Sequence, residues 1–323
     1  MAHGGESKRA IIAAMLANLG IAVAKLVAFV VTSSSAMLAE SIHSLADTGN
    51  QALLLLGGSR AKKAPDPDHQ FGYARERYFW AFVVSIILFT LGSLFAIYEG
   101  IHKLQHPEPL ESAGWAIGVL VFAMLLEGNS FRVAIGEARA IKGGGTWFGF
   151  IRRSKNPELP IVVLEDAGAL IGLVIALIAV SLDAATHNPA FDAWGSIIIG
   201  TLLGIIAIVL AIEMKSLLIG EAAAPDMQDR IRAAIEGAPS TNSLIFLRTQ
   251  HLGPDELLVA IKVEFDANLS MAELAIAIDD VEARIRADVP TARYLFVEPD
   301  IRRAPVGADA PTEADASAGP DPH

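Results

Sequence analysis

Residues 36–57 read AMLAESIHSLADTGNQALLLLG, a stretch apolar enough for lipid that nonetheless carries Glu40, His43, Asp47 and Asn50. On a helix, His43 and Asp47 stand at i and i+4, one turn apart on a shared face. A charged group at membrane depth costs at least ~2.5 kcal/mol. Such a helix must therefore turn its polar face toward a bundle interior, and buried groups of this kind mark ion paths. The stretch points to a helical membrane protein that moves an ion.

The rest of the chain agrees. Of its 323 residues 53% are apolar, and the mean hydropathy of +0.45 is too high for an ordinary soluble domain. The formal charge of −11 argues against a nucleic-acid partner. No cysteine is present, which excludes disulfides and thiolate metal sites and leaves His, Asp, Glu and Asn as metal ligands. The opening residues MAHGGESKR carry no cleavable signal, so the apolar run after them reads as a true span.

About 20 apolar residues cross a bilayer. Six stretches qualify, at roughly 10–31, 36–58, 78–102, 113–135, 159–182 and 194–218. Basic residues cluster before the first span, between the second and third, between the fourth and fifth, and at the end of the sixth. The alternate connections hold only Lys103. By the positive-inside rule both termini are cytoplasmic, and the expected setting is a bacterial inner membrane.

Polar residues inside the other spans have two readings each. Lys25 snorkels or pairs locally. Glu127 makes a helix-packing hydrogen bond, or else pairs with Lys25 or relays protons. Glu165 and Asp166 are adjacent, about 100° apart on a helix, so only one can point fully into a site shared with His43 and Asp47. In the loop before the third span, Asp66, Asp68 and His69 either hold a cation or belong to a solvated turn. Trp147, Phe148, Phe150, Arg152 and Arg153 read as an interfacial segment.

Past residue 222 the pattern changes. A helix at 226–236, strands at 244–249 and 257–265, a helix at 270–288 and a strand at 293–297 give an α-β-β-α-β order, a small two-layer α+β domain over 223–303. Ser270 and Glu273 form a capping box. Residues 304–323 are rich in Pro, Ala and Asp and are expected to be disordered.

Imidazole nitrogen with carboxylate oxygens suits Zn²⁺ or a similar ion. His43 and Asp47 supply two ligands from one helix, and Asp166 would supply a third from another. An ion that crosslinks two helices senses their relative tilt, as alternating access requires. Because ligands must be deprotonated, metal and protons compete for the same groups. The chain carries no HExxH or comparable catalytic motif, so an enzyme is not expected. No resident cofactor is implied; the metal is cargo.

At these residues the chain resembles the cation diffusion facilitator transporters. The likeness covers Ile11 to Asp300 and is detailed at residues 32–51, 66–83, 162–172 and 191–200. The YFWAFVV and LEDAGALIG segments resemble the branch containing the mitochondrial zinc transporter nine. The resemblance implies six transmembrane helices, a cytoplasmic ferredoxin-like domain, homodimers, and metal/proton antiport through His43, Asp47 and Asp166. Three positions depart from the family pattern. Val162 stands where a further ligand is usual, with Glu165 or Glu40 as replacements. Tyr73 stands where the loop site often has His. Ile261 and Lys262 replace the His cluster of the cytoplasmic domain, whose expected role is then dimerisation without metal. Export of Zn²⁺ is the favoured reading; Mn²⁺, Fe²⁺ or Co²⁺ export, and a non-transporting metal sensor, are the alternatives.

Overall fold

The computed structural model describes residues 3–301 apart from Glu108, Glu111 and Gly143, and describes no side chain at 3–17, Ile141 or Arg153. The disordered tail expected at 304–323 lies outside the described residues. The chain divides into two units, Met1–Glu221 with His251–Pro254 and Ala222–Gln250 with Asp255–His323.

The first unit is helical. Its elements are α1 (His3–Thr32), α2 (Ser35–Arg60), α3 (Glu76–Ile87), a π-helical segment (Leu88–Leu94), α4 (Phe95–Gln105), α5 (Ala113–Lys142), α6 (Trp147–Arg153), α7 (Glu158–Thr186) and α8 (Ala190–Ile219). Among the described residues, four helices are long and apolar enough to cross a membrane: Glu76–Gln105, Ala113–Ala140, Glu158–Thr186 and Ala190–Ile219. Asn18–Thr32 of α1 forms a shorter apolar helix. The long helix α2 is not among them, because its middle is occupied by the polar residues singled out above. The interfacial segment expected around Trp147 forms α6, capped by Thr146 Oγ1, which accepts from Gly149 N at 3.0 Å.

Helix α2 lies at the centre and packs on α1, α3, α4, α7 and α8. Its buried residues include Glu40, Ser41, His43, Ser44, Asp47 and Asn50. Outward apolar surface is carried by α5, α7 and α8, where Leu125, Ile178 and Ile212 are exposed, and on α2 by the face away from these polar groups, where Leu45 is exposed. This is the inside-polar, outside-apolar arrangement that a bilayer demands.

One end of α2 is clamped. Ser33 turns the chain with φ 54°, and Ser34 Oγ caps α2 by accepting from Met37 N at 3.2 Å. Asp192 at the start of α8 accepts from Ser34 Oγ and Ser35 N, both at 2.7 Å, so its carboxylate meets the orphan donors of a helix start. Lys103 of α4 completes the clamp, 2.8 Å from Asp192 Oδ2 and 2.7 Å from Ser33 O. Lys103 was the lone basic residue on the otherwise unbasic side. Its charge is buried and paired, not presented to solvent.

Helices α4 and α8 approach backbone to backbone. A Cβ built on Gly200 would stand 2.7 Å from Ile97 Cγ1 and 2.8 Å from Ile97 N, so only glycine fits there.

The second unit holds α9 (Pro225–Glu236), β1 (Thr241–Gly253), β2 (Glu256–Phe265), α10 (Met271–Asp288) and β3 (Ala292–Asp300), with sheet order β1-β2-β3. β2 and β3 pair parallel, with Ile261 opposite Val297; the crossover that parallel strands require is α10. Strand β2 buries every second residue, and Leu257, Val259, Ile261 and Val263 join Ile231 and Ile235 of α9 and Val281 and Ile285 of α10 in one core. The Ser270–Glu273 capping box is present.

A Gly200→Val chain should lose about 1–3 kcal/mol to overpacking, read as a lower thermal midpoint in detergent. Gly118→Ala, with open space around its Cβ, should leave the midpoint nearly unchanged. Equal midpoints for the two variants would contradict the close packing of α4 on α8.

Candidate metal site

His43 and Asp47 meet within α2, with Nδ1 of the imidazole 3.5 Å from Asp47 Oδ1. The imidazole is fully buried and neither ring nitrogen has a hydrogen-bond partner. The π-helical segment runs beside it, since a Cβ on Gly92 would stand 4.0 Å from Nδ1. Asp47 Oδ1, Asn50 Oδ1 and Glu40 Oε1 are likewise buried without a partner. Residues 40, 43, 47 and 50 share one face of the helix. Each orphaned buried polar atom costs ~1–3 kcal/mol, so the face is set up to receive something that satisfies it.

Helix α7 brings its two acids to different places. Glu165 accepts from Asn50 Nδ2 at 2.7 Å and so faces α2. Asp166, one residue on, accepts from Ser130 Oγ of α5 at 3.1 Å. Only one of the adjacent acids reaches α2, as the 100° step demands, and it is Glu165. Among the described residues no three His, Asp or Glu side chains close into a metal-holding group. His43 and Asp47 are together; Asp166 stands apart, on Ser130.

Glu40 is engaged by Lys25 of α1. Lys25 Nζ lies 3.0 Å from Glu40 Oε2, donates to Ser44 Oγ at 2.7 Å, and comes within 4.0 Å of Glu127 Oε1 on α5. Lys25 is completely buried. It does not reach outward to solvent; the neighbouring helix α2 supplies its counter-ion. The pair is fitted tightly, because a Cβ on Gly172 of α7 would stand 2.5 Å from Glu40 Oε1. One carboxylate oxygen of Glu40 is thus spent on an internal cation. The missing signals were the partners of Lys25 and of Asp166, which are long-range contacts.

The loop group is organised differently. Asp66 Oδ2 accepts from Tyr73 OH at 2.5 Å and from Lys63 Nζ at 2.9 Å, and Asp66 Oδ1 accepts from His69 N at 2.8 Å. The Tyr73 hydroxyl, then the Lys63 ammonium, holds the Asp66 carboxyl well below the usual carboxylate range. Asp66 is committed to a turn, Asp68 is exposed, and His69 is exposed with Nδ1 3.4 Å from Asp66 Oδ1. Tyr73, in the position where the resembled family often has His, is the residue that takes up Asp66.

The comparisons with known proteins fit this arrangement. The family model described as "Cation efflux transmembrane domain" matches residues 11–219. The chain belongs to the cation efflux family. It is 35% identical over 247 residues to the protein named proton-coupled zinc antiporter SLC30A9, mitochondrial, of Xenopus laevis, which is 76% of this chain and 44% of that one. It is 32% identical over 266 residues to metal tolerance protein C4 of Arabidopsis thaliana, covering 82% of this chain and 58% of that one. The chain therefore spans well under two thirds of the length of these curated relatives. A solved C-terminal domain of MamM, in a nickel form, aligns at 20% identity over 25% of this chain and 100% of its own, with a TM-score of 0.24. As a member of this family the chain is an integral membrane protein with a small C-terminal sheet unit.

Removing Lys25 should strand Glu40 as an unpaired buried acid. Lys25→Met is expected to cost about 3–5 kcal/mol, measured by chemical denaturation in detergent, and Lys25→Met with Glu40→Gln should recover most of it. Additive losses would deny the pairing. For Asp66, a lowered folded pKa means its stabilisation is present above the ordinary carboxylate pKa and is lost as the pH falls through the folded value. Tyr73→Phe should move the Asp66 titration up toward the ordinary range in a carboxyl-carbon NMR titration. An unmoved midpoint would remove the hydroxyl as its cause.

Proposed function

We propose that this chain exports divalent transition-metal cations, Zn²⁺ foremost, in exchange for protons by alternating access. One observation carries the reading: five buried polar atoms on a single face of α2 lack any hydrogen-bond partner, namely Glu40 Oε1, His43 Nδ1 and Nε2, Asp47 Oδ1 and Asn50 Oδ1. A dehydrated cation satisfies such a face, and in its absence protons and water serve. Imidazole with carboxylate favours Zn²⁺. The printed names of the relatives, a zinc antiporter and a metal tolerance protein, support the same substrate class.

In this reading His43 and Asp47 hold the cargo from α2, and Asp166 leaves Ser130 to join them when α2 and α7 shift against each other. Glu165 stays on Asn50 and supplies negative charge. The Asp192–Lys103 clamp fixes one end of α2, so relative movement is concentrated toward the other end. The same proposal takes all six apolar stretches as membrane spans and the C-terminal unit as a ferredoxin-like dimerisation domain. It places both termini in the cytoplasm of a bacterial inner membrane, with the chain as a homodimer. The Asp66 turn, with its carboxylate spent, is left out of the transport route.

Zn²⁺ uptake into proteoliposomes under an imposed pH gradient tests it. Asp47→Ala and Asp166→Ala should each abolish flux, whereas Ser130→Ala should retain it. Normal flux in Asp47→Ala would sink the assigned site.

A further inference from the structure

The end of α4 brings together His102, in its last turn, and His106, the residue that caps it, four positions on. Their rings lie nearly parallel, 28° between planes, with centroids 4.9 Å apart. Both are exposed. Tyr98, four residues earlier, continues the stack with its ring 6.1 Å from His102. The spacing is held in two ways. His106 N donates to His102 O at 2.9 Å, so the two residues close the final turn of the helix. Between them Lys103 is buried and bound to Asp192 and to Ser33 O. Lys103 points inward, and the two imidazoles lie on the outward side.

Two imidazoles at i and i+4 can present two nitrogens to one metal ion, and at this helix end a rotation of either exposed ring out of the stack lets the nitrogens converge. Neutral imidazole suits borderline ions such as Zn²⁺, Cu²⁺, Ni²⁺ and Co²⁺ rather than Ca²⁺ or Mg²⁺. We propose that His102 and His106 form a second, surface metal site for a borderline transition-metal ion, with two protein ligands and water filling the remaining positions. Two protein ligands in open solvent hold an ion less firmly than a closed four-ligand cage does. The pair sits at the end of the bundle that carries the α1–α2 turn, as the Lys103–Ser33 bond requires. That end is opposite the basic connections. If the export reading above holds, it is the exit side, and the pair receives the ion as it leaves α2. The existence of the site does not depend on that role.

The test is a calorimetric titration of the full, tag-free chain in detergent with ZnCl₂, on an Asp47→Ala background that removes an assigned ligand of the transport site. The parent should show a weak Zn²⁺ binding event. His102→Gln and His106→Gln should each abolish it, and His106→Cys, in a chain with no other thiol, should restore it. MgCl₂ should produce no such event. A Zn²⁺ event that persists in both Gln variants, or no event in the parent, overturns the proposal. Because binding is read without transport, loss of the event in His102→Gln alongside normal flux in Asp47→Ala would overturn the export site and leave this one standing.

Discussion

Polar groups taken out of water must find partners inside the protein, and on α2 several of them do not. That imbalance is the constraint on which the rest of the structure depends. Glu40, His43, Asp47 and Asn50 would be prohibitive against acyl chains, so the polar face of α2 is covered by other helices. Once surrounded, the groups are desolvated and their free valences are aimed at one another and at α7. In the export proposal a cation relieves that cost when bound, and protons relieve it otherwise. The same burial that makes the helix a poor lipid-facing span makes its polar face the candidate binding surface.

The neighbours of α2 divide the work. Lys25 neutralises Glu40 from one side, so the site is not left with its full complement of unpaired acids. Asp192 and Lys103 anchor the start of α2 with charge-assisted hydrogen bonds. Where α4 meets α8, a glycine lets the backbones touch. A helix that is tied at one end and carries unsatisfied polar atoms at its middle is suited to two arrangements, because small tilts change which partners its middle can reach.

Much of this was legible in the chain itself. Four of the six expected spans were visible because apolar runs of bilayer length are hard to read otherwise, and the polar face of α2 was visible because i, i+4 spacing needs no tertiary knowledge. The α-β-β-α-β order of the C-terminal unit could be read from the apolar run along β2, whose alternate residues are buried, and from the Ser270 cap, both local signals. What could not be read was pairing between helices. Lys25 has no local sign that its partner is fifteen residues away in α2. Asp166 and Glu165 cannot be assigned to different neighbours without the rotation of α7. The loop residue Asp66 looked available to a metal until its bonds with Tyr73 and Lys63 were seen. Each case turns on a contact between elements whose relative placement periodicity does not encode.

The account stands on a cation meeting α2 at His43. An anomalous difference map recorded at the zinc edge, from crystals of the full chain grown with Zn²⁺, addresses that directly. The account predicts a peak about 2.0–2.1 Å from a ring nitrogen of His43, shared with Asp47 and an acid of α7. Zinc at other places, with the imidazole of His43 left unliganded at saturating metal, would contradict it.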